Sequence, residues 1–535
     1  MLAVTKWARK GRVMIRTIIR ENDYHDSVFL MNIAEQIQET EGVKQIVIVM
    51  GTETNKTLLR DLGMLDFQAN TATTNDMIIA LEIEKEEVVE EILAKINHLL
   101  FQKPKREKEK INFPSLEMAL TALPEVNLAL ISVPGEFAAN EAKKVIMKGI
   151  HAFIFSDNVP MAEEVELKRL ASSKGVFVMG PGCGTSLINN IAIGIMNAVR
   201  PGPIGIVGAS GSGIQAIAVL IDRSGLGISQ AIGTGGRDLS DEVGGITMMQ
   251  GIEFLEADKN TKVIVIVSKP PGPKTLNRVL ERISQCRKPV VINILGGDRD
   301  LLEKSGSISA STLEEAAIQA INQAKGKGTG KSIRRNVPLS RNKKIISLIN
   351  SEINKFGPQQ KYLRGLFCGG TLCEEAILIL KGFIDSLYSN VSLPDCFPLK
   401  DVNTSHENCL IDMGAEEFTR GRPHPVIDPE ILKPRLWKEG SDPEVAVILL
   451  DFILGYGAHA DPVGVLIETI TSIKKRVEEE NRHLSIVASV CGTENDPQDL
   501  VDQENKLRES DVIVMPSSAQ AAFLSGLIIL EKGKK

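Results

Sequence analysis

The chain has 535 residues, enough for three or four domains of about 150 residues each, so a single small module is excluded. Hydrophobic residues make up 43% and charged residues 24% of it, as in ordinary globular proteins. With 62 basic and 68 acidic side chains, the formal net charge is −6, which argues against nucleic acid as a partner.

Neither a membrane segment nor a cysteine framework is visible in the sequence. No run of about 18 uncharged apolar residues occurs, as a membrane-spanning helix would need, and residues 1–20 lack an uninterrupted apolar core. We therefore expect a soluble, cytoplasmic protein without membrane contact. The seven cysteines are thinly spread, with no C-x-x-C pair, so we predict no zinc site, no other metal site and no disulfide framework.

Strand-like apolar runs alternate with amphipathic segments of helical length along most of the chain. Such runs lie at 43–50, 128–133, 263–267 and 445–450. The alternation indicates βαβ units and parallel sheets. Two charge-rich breaks, at 82–110 and 325–344, are typical of a solvated helix face or a linker.

The second break contains a segment similar to a phosphate-binding P-loop, GKGTGKS at 326–332. Its first glycine is one residue too close to the Gly-Lys-Ser, and a helix-like run precedes it where a P-loop needs a strand. We therefore do not assign phosphate binding to this segment.

Several Gly-rich turns follow predicted strands, in chain order at 180–184, 208–213, 368–371 and 455–457. Such a turn exposes unpaired backbone N–H groups at the positive end of a helix dipole, which favours an anion. The hydroxyls of Ser210, Ser212 and Thr371 add donors. Any one of these turns is as readily explained by helix packing, but several together favour anion binding.

The stretch 126–190 resembles part of a known family. It contains VNLALISVPGEF, GIHAFIFSDNVP and GVFVMGPGCG, and it is similar to the later half of the CoA-binding domain of the succinyl-CoA synthetase α subunit. The segments IGIVGASGSG at 204–213, AIGTGGRD at 231–238 and KPVVINILGG at 288–297 look like the ligase domain of that subunit.

The C-terminal third resembles the other subunit. From 365 onward, with VAVILLDFILGYG at 445–457 and VCGTENDP at 490–497, the chain is similar to the C-terminal domain of the β subunit. GPGCGTS, GASGSGIQ, GGRDLSDEVGGI and VSKPP match the FdrA proteins, which are labelled acyl-CoA synthetases and are implicated in oxamate carbamoyl transfer in allantoin and purine catabolism.

The resemblance implies a multidomain α/β protein, with a Rossmann-like CoA-binding-type domain and two flavodoxin-like ligase domains built on parallel sheets. The implied division is an N-terminal α/β module of unknown role at 1–110, an incomplete CoA-binding-type domain at 111–200, an α-type ligase domain at 201–325, a basic linker at 326–345 and a β-type ligase domain at 346–535.

The residues that carry phosphate in the synthetases are replaced here. Where the family has a phosphocarrier histidine in GHAGAI, this chain reads EKSGSI at 303–308, and where the family has GEIGG it reads SKPPG at 268–272. Lys304 therefore lies in the segment where the family has its histidine, and Lys269 lies in the segment where the family has a glutamate. The resemblance also leaves no room for an ATP-grasp region between 330 and 360, and no clear CoA-gripping turn in 1–110, so no ATP site is expected and CoA binding is put in doubt.

The first functional hypothesis is a subunit of a carbamoyltransferase that interconverts oxalurate plus phosphate with oxamate plus carbamoyl phosphate. In the synthetases two helix N-termini converge on the phosphate, and the matching turns here are at 210–213 and 455–457. Lys269, Lys304 and the helix N-termini would stabilise charge, and Arg237 would hold a substrate carboxylate. The phosphate-binding set is Ser210, Gly211, Ser212, Gly213, Gly455, Tyr456 and Gly457, and further substrate contacts are expected from Gly182, Cys183, Gly184, Gly369, Gly370 and Thr371.

Two other hypotheses stay open. The chain could be an acyl-CoA synthetase subunit with a separate ATP-grasp partner, with His459 replacing the phosphocarrier. Cys183 is then either a nucleophile whose thiol pKa is lowered by nearby helix N–H groups or a small buried packing residue. The chain could instead be a non-catalytic assembly subunit that binds a metabolite. All three hypotheses predict a small-molecule ligand and other protein subunits as partners.

Overall fold

The computed structural model describes residues 3–10, 13–23, 25, 27–38, 40, 42–83, 88–101, 112–327, 343–394 and 396–534. The chain forms two compact units, Met1–Pro114 and Ser115–Lys535. Residues 328–342, the greater part of the predicted linker and of the P-loop-like segment, lie outside the described residues. None of the described helices combines the length and the apolar character that crossing a bilayer requires.

The first unit is a four-stranded antiparallel sheet with helices. Its elements are β1 (Ala3–Lys10), β2 (Val13–Arg20), α1 (Ser27–Gln38), β3 (Val43–Met50), α2 (Glu53–Asp61), α3 (Phe67–Thr71), β4 (Met77–Ile83) and α4 (Val88–Phe101). The strand order is β1-β2-β4-β3. The prediction of a parallel sheet is wrong here, because β4 lies between β2 and β3 and runs antiparallel to both.

The second unit begins with a small parallel sheet of three strands. Its elements are α5 (Leu116–Ala122), β5 (Leu128–Ile131), α6 (Gly135–Met147), β6 (His151–Ile154), α7 (Met161–Lys174) and β7 (Val178–Met179). Burial of Ala138, Ala142 and Ile146 on α6 against Ala152 and Ile154 of β6 forms a core of its own.

A seven-stranded sheet follows, in the order β14-β13-β12-β10-β11-β8-β9. The hairpin β8–β9 runs antiparallel and adds to β11 at one edge, and the other strands are parallel. The elements are β8 (Thr185–Ile188), β9 (Ile191–Gly194), β10 (Pro201–Gly208), α8 (Gly211–Arg223), β11 (Ile228–Gly233), α9 (Ile246–Ala257), β12 (Val263–Ser268), α10 (Pro273–Ser284), β13 (Val290–Ile294), α11 (Arg299–Glu303), β14 (Ile308–Ser309) and α12 (Leu313–Ala324).

The second seven-stranded sheet is entirely parallel and has the order β17-β16-β18-β15-β19-β20-β21. Its elements are α13 (Lys343–Ile353), β15 (Tyr362–Phe367), α14 (Gly370–Leu380), β16 (Leu387–Ser389), β17 (Phe397–Pro398), β18 (Asn408–Asp412), α15 (Glu416–Thr419), a 3₁₀ helix (Pro429–Ile431), α16 (Leu432–Ser441), β19 (Val445–Ile453), α17 (Pro462–Glu479), β20 (Ser485–Cys491), α18 (Leu500–Glu509), β21 (Ile513–Met515) and α19 (Ser518–Gly533). All nine residues of β19 are buried, as expected of a strand covered on both faces.

The two large sheets are joined through a shared core and a buried polar junction. Helices α8 and α14 pack against each other, and their apolar residues belong to one continuous cluster. Asn197 Nδ2 donates to Asp496 Oδ2 (2.8 Å) and to the carbonyl of Leu454 (2.8 Å), and the backbone N–H of Ala198 donates to Asp496 Oδ1 (2.6 Å). The junction ties the segment between β9 and β10 to the segments that follow β19 and β20.

Candidate functional site

The turn after β10 forms the first part of the candidate site. Ser210 caps α8, its Oγ accepting the backbone N–H of Gly213 at 3.0 Å. The glycines permit close packing, since a Cβ at position 211 would lie 2.9 Å from Thr185 Oγ1. The first N–H groups of α8 are thereby held at the carboxyl edge of the sheet, where helix termini favour anions.

The turn after β15 forms the second part. Asp451, at the carboxyl end of β19, accepts the backbone N–H groups of Cys368 (2.5 Å) and Gly369 (2.9 Å). Helix α14 begins at the next residue and has no side-chain cap. Its first N–H groups are therefore held in place without being satisfied by a capping oxygen.

These two turns meet. Ser210 Oγ and Thr371 Oγ1 are 2.5 Å apart and share a hydrogen bond, and a Cβ at Gly369 would lie 3.0 Å from that of Ser212. Each turn follows the strand at which the order of its sheet reverses, where open α/β sheets bind ligands. The structure thus brings two helix N-termini together on one polypeptide.

The predicted partner of the 210–213 turn is the 455–457 turn, and this pairing stays a prediction. Tyr456 forms a backbone bridge with Met196, and a Cβ at Gly455 would lie 2.6 Å from the carbonyl oxygen of Met196. In the described part of the chain, no hydrogen bond joins 455–457 to 210–213. The turn contacts residues 194–197, since a Cβ at Gly457 would also lie 3.2 Å from the carbonyl oxygen of Gly194.

His459 lies in the same junction region. Its Nδ1 accepts the backbone N–H of Asp461 at 3.0 Å, and the backbone N–H of His459 donates to the carbonyl of Val426 at 2.9 Å. Asp461, which caps α17 through Gly464, is therefore oriented by this imidazole. In the part of the chain that the structure describes, the hydrogen bonds of His459 are those of a turn residue, and none of them reaches the two converging helix N-termini.

Lys269 lies at the carboxyl end of β12 and forms an ion pair with Glu374 of α14. The Lys269 side chain is 41% exposed, whereas that of Glu374 is 5% exposed. Desolvation lowers the pKa of Lys269, but Glu374 and Asp412 outweigh it, so the pKa is raised overall. The ammonium stays charged beside the first turns of α14.

Asp412, Asp451 and Glu374 are site residues that the sequence analysis did not identify. A Cβ at Gly370, the first residue of α14, would lie 2.5 Å from Asp412 Oδ2. Burial raises the pKa of Asp412 to about 6, against the lowering effect of Lys269, and burial raises that of Asp451 to about 7. Asp451 directly follows the predicted strand at 445–450, and that position was the available signal for it. No strand was predicted before Asp412.

Arg237 lies in the loop after β11 and is already engaged. It donates to the carbonyl of Val159 at 2.7 Å and pairs with Glu164 at 2.8 Å, with 41% of its side chain exposed. Desolvation raises the pKa of Asp157. The charge of Arg237 lowers this pKa, and the charge of Glu416 raises it further. The guanidinium of Arg237 is thus held by Val159 and Glu164.

The 182–184 turn packs into the protein. A Cβ at Gly182 would lie 2.4 Å from Asp157 Oδ1, and Gly184 accepts the N–H of Ile195 at 2.7 Å. Cys183 is 3% exposed, and burial raises its thiol pKa to about 11. The predicted lowered pKa is wrong, because this thiol is buried away from water and not held at a helix N-terminus.

Lys304 ends α11 and is exposed. Within the described ranges, no hydrogen bond or ion pair connects it to the other predicted site residues. The structure therefore brings together Ser210 to Gly213, Gly369 to Thr371 and Lys269. Among the described residues, no hydrogen bond or ion pair joins Lys304, His459 or the 455–457 turn to these termini.

Three family models match this chain. "AllF, heavy metal-associated domain" matches residues 13–114, "CoA binding domain" residues 199–294 and "CoA-ligase" residues 366–528. The second model covers β10 to β13 with the 210–213 turn, and the third covers α14 with the 369–371 turn.

Two relatives illustrate the similarity to known proteins. The chain is 41% identical over 511 residues to the uncharacterized protein YahF of Escherichia coli (strain K12), which covers 96% of this chain and 98% of YahF. It is 30% identical over 176 residues to the succinate–CoA ligase [ADP-forming] subunit alpha 2 of Archaeoglobus fulgidus, covering 32% of this chain and 60% of that subunit. A solved acetyl-coenzyme A synthetase 1 from Ca. Korarchaeum cryptofilum aligns with 81% of this chain and 89% of its own, at 16% identity and a TM-score of 0.33.

The first unit does not carry the ligands that its family model implies. Soft metal ions prefer thiolates, and the first cysteine in the sequence is Cys183, outside Met1–Pro114. Among the residues that the structure describes, no group of three or more His, Cys, Asp or Glu side chains could hold a metal ion. The residues present therefore do not fit a heavy-metal site.

Proposed function

Because the chain belongs to the FdrA family of acyl-CoA synthetase-like and succinyl-CoA ligase-like proteins, we propose that its two converging helix N-termini bind a phosphate group and that it is a subunit of a carbamoyltransferase. The reaction is oxalurate plus phosphate to oxamate plus carbamoyl phosphate. The observation that carries the proposal is the contact between Ser210 Oγ and Thr371 Oγ1 at 2.5 Å, which joins the two termini.

The residues around this contact supply what the reaction needs. A phosphate oxygen bonds to the carbamoyl carbon of oxalurate, the bond from that carbon to the leaving nitrogen breaks, and the proton of hydrogen phosphate passes to that nitrogen. The first N–H groups of α8 and α14 and the Lys269 ammonium hold the phosphate. Asp412, with its pKa raised to about 6, is placed to hold the moving proton.

Arg237 is proposed to bind the substrate carboxylate. Its guanidinium is partly exposed and already oriented by Val159 and Glu164, and a planar guanidinium suits a carboxylate. Alignment of the two substrates between these groups needs no protein nucleophile. Two of the relatives are named as ligase subunits, which supports partner subunits for this chain. The seven free cysteines are consistent with a cytoplasmic location.

Conversion of carbamoyl phosphate and oxamate into oxalurate tests this function. The full chain, alone and with the protein subunits that co-purify with it, is expected to form oxalurate, and the Thr371→Val variant is expected to lose most of the rate. Failure of every such preparation to form oxalurate, together with failure to bind phosphate, would overturn the proposal.

A CoA ligase subunit is the second candidate, favoured by the matches to CoA-binding and CoA-ligase domain models. It requires a separate ATP-binding partner and a phosphoryl carrier. His459, the predicted substitute, is bonded within its own turn. Incubation with labelled ATP, CoA and a carboxylic acid distinguishes the two, since a phosphoprotein that is lost on His459→Ala would favour the ligase.

A further inference from the structure

Glu374 leaves one buried carboxylate oxygen without a hydrogen-bond partner. The residue lies one turn into α14 and is 4% exposed. Its Oε1 pairs with the Lys269 ammonium, but Oε2 is buried and, within the described part of the chain, receives no donor. A buried charged acceptor without a donor is costly, and more so than a neutral one.

The surroundings restrict which ligand could satisfy this oxygen. A ligand carboxylate is excluded beside Glu374, because the carboxyl of Asp412 is already close. Among the described residues, no cluster of side chains could hold a metal ion. The adjacent helix N-termini and Lys269 favour an anion. A ligand that fits all of these groups is an anion that also carries its own N–H donors.

We infer that Glu374 is a specificity residue that accepts the amide N–H of a carbamoyl group whose phosphate lies on the two helix N-termini. The Lys269 side chain, which pairs with Glu374, is 41% exposed, whereas that of Glu374 is 5% exposed. When the phosphate draws the ammonium towards itself, the carboxylate becomes accessible to the ligand. This inference rests on the proposed function.

The consequence is discrimination between amide and methyl groups. A ligand with a methyl group in place of the amide leaves Glu374 Oε2 unpaired and adds an apolar group beside it. Sites built to bond a ligand N–H reject the analogue that lacks it much more strongly than apolar pockets reject a missing methylene. Carbamoyl phosphate is therefore bound in preference to acetyl phosphate.

Two stable phosphonates form a matched pair for the test. Phosphonoacetamide carries an amide where acetonylphosphonate carries a methyl group, and their phosphonate ends are identical. Titration calorimetry of the full chain is expected to show at least about tenfold tighter binding of phosphonoacetamide, with inorganic phosphate as the reference anion.

Two variants assign the preference to one side chain. In Glu374→Gln, the new amide keeps its oxygen on Lys269 and turns its NH₂ to the position of Oε2, so a donor replaces the acceptor and the preference falls to about threefold or less. The matched control is Glu375→Gln. Glu375 is the next residue, and its Oε1 accepts the N–H of Leu313 at 2.6 Å on another face of α14, so the preference should remain.

The outcomes distinguish the role of Glu374 from the proposed function. Equal binding of the two phosphonates by the unmodified protein overturns the inference and leaves phosphate binding intact. A preference that survives Glu374→Gln overturns the role of Glu374. If neither phosphonate nor phosphate binds, the proposed function itself fails.

Discussion

At the scale of single residues, Lys269 is the cation that we propose binds the anion. It is half-exposed, charged and paired with Glu374 beside α14. Lys269→Ala should weaken phosphate binding about tenfold or more, because a charged hydrogen bond is lost. Lys262, exposed before the other end of β12, is the matched control, and Lys262→Ala should change the affinity less than about twofold. Calorimetric titration with phosphate measures both, and equal losses would contradict the role of Lys269.

Asp451 should make stability depend on pH. Burial raises its pKa to about 7, against the lowering effect of the Cys368 and Gly369 N–H groups, whereas an unfolded aspartate titrates near pH 4. Between about pH 4 and pH 7 the folded state alone holds the proton, so this group makes the free energy of unfolding fall as pH rises.

The Asp451→Asn variant tests this contribution, since it replaces the titrating carboxyl with a neutral group of the same shape. The slope of stability against pH over that window should become shallower by up to about 1.4 kcal/mol per pH unit. Unfolding midpoints at several pH values measure it. An unchanged slope would show that Asp451 titrates normally in the folded protein.

Cys183 should be unreactive. Burial raises the pKa of its thiol to about 11, so little thiolate exists at neutral pH. Iodoacetamide at pH 7.5 should leave Cys183 unmodified in the native protein and modify it in urea, as read by peptide mass spectrometry. Rapid native labelling would restore the hypothesis of a nucleophilic thiol.

At the scale of elements, the proposed phosphate site depends on the contact between the starts of α8 and α14. Ser210→Ala and Thr371→Val each remove one hydroxyl of the pair at 2.5 Å. In a double-mutant cycle, the coupling energy for stability should be about 1 kcal/mol, typical of a neutral hydrogen bond. A coupling energy near zero would mean that the two termini are not joined.

Many elements could be predicted from the sequence because their signals are local. The apolar run at 43–50 coincides with β3, and the run at 263–267 lies within β12. The Gly-rich turn at 208–213 was expected to precede a helix, whereas α8 begins within it, at Gly211. Glycine disfavours helix, but the Ser210 cap and the packing of Gly211 against Thr185 hold it helical.

The contact between the 210–213 and 369–371 turns could not be predicted from local signals. Both 369–371 and 455–457 follow strands and precede helices, so each looks like an anion site. Only the strand order, in which β15 lies between β18 and β19, places 369–371 centrally. Glu374, Asp412 and Asp451 likewise come from three separate segments, and their proximity depends on that order.

At the scale of the whole molecule, the site depends on the junction between the two large sheets. Asp496→Ala would leave Asn197 Nδ2 and the Ala198 N–H without the bonds of 2.8 and 2.6 Å that they now make. The loss of buried partners should cost about 2–4 kcal/mol. A lower midpoint of thermal unfolding, with weaker phosphate binding, is expected. Full phosphate affinity in a destabilised variant would show that the site does not need this junction.

The central claim is that α8 and α14 together bind one phosphate group, and a crystal structure of the full chain grown with phosphate tests it most directly. The account predicts tetrahedral density within hydrogen-bond distance of backbone nitrogens in both 211–213 and 370–372, with the Lys269 ammonium turned towards it. Saturating phosphate that leaves this position empty, or that occupies the 455–457 turn instead, would contradict the account.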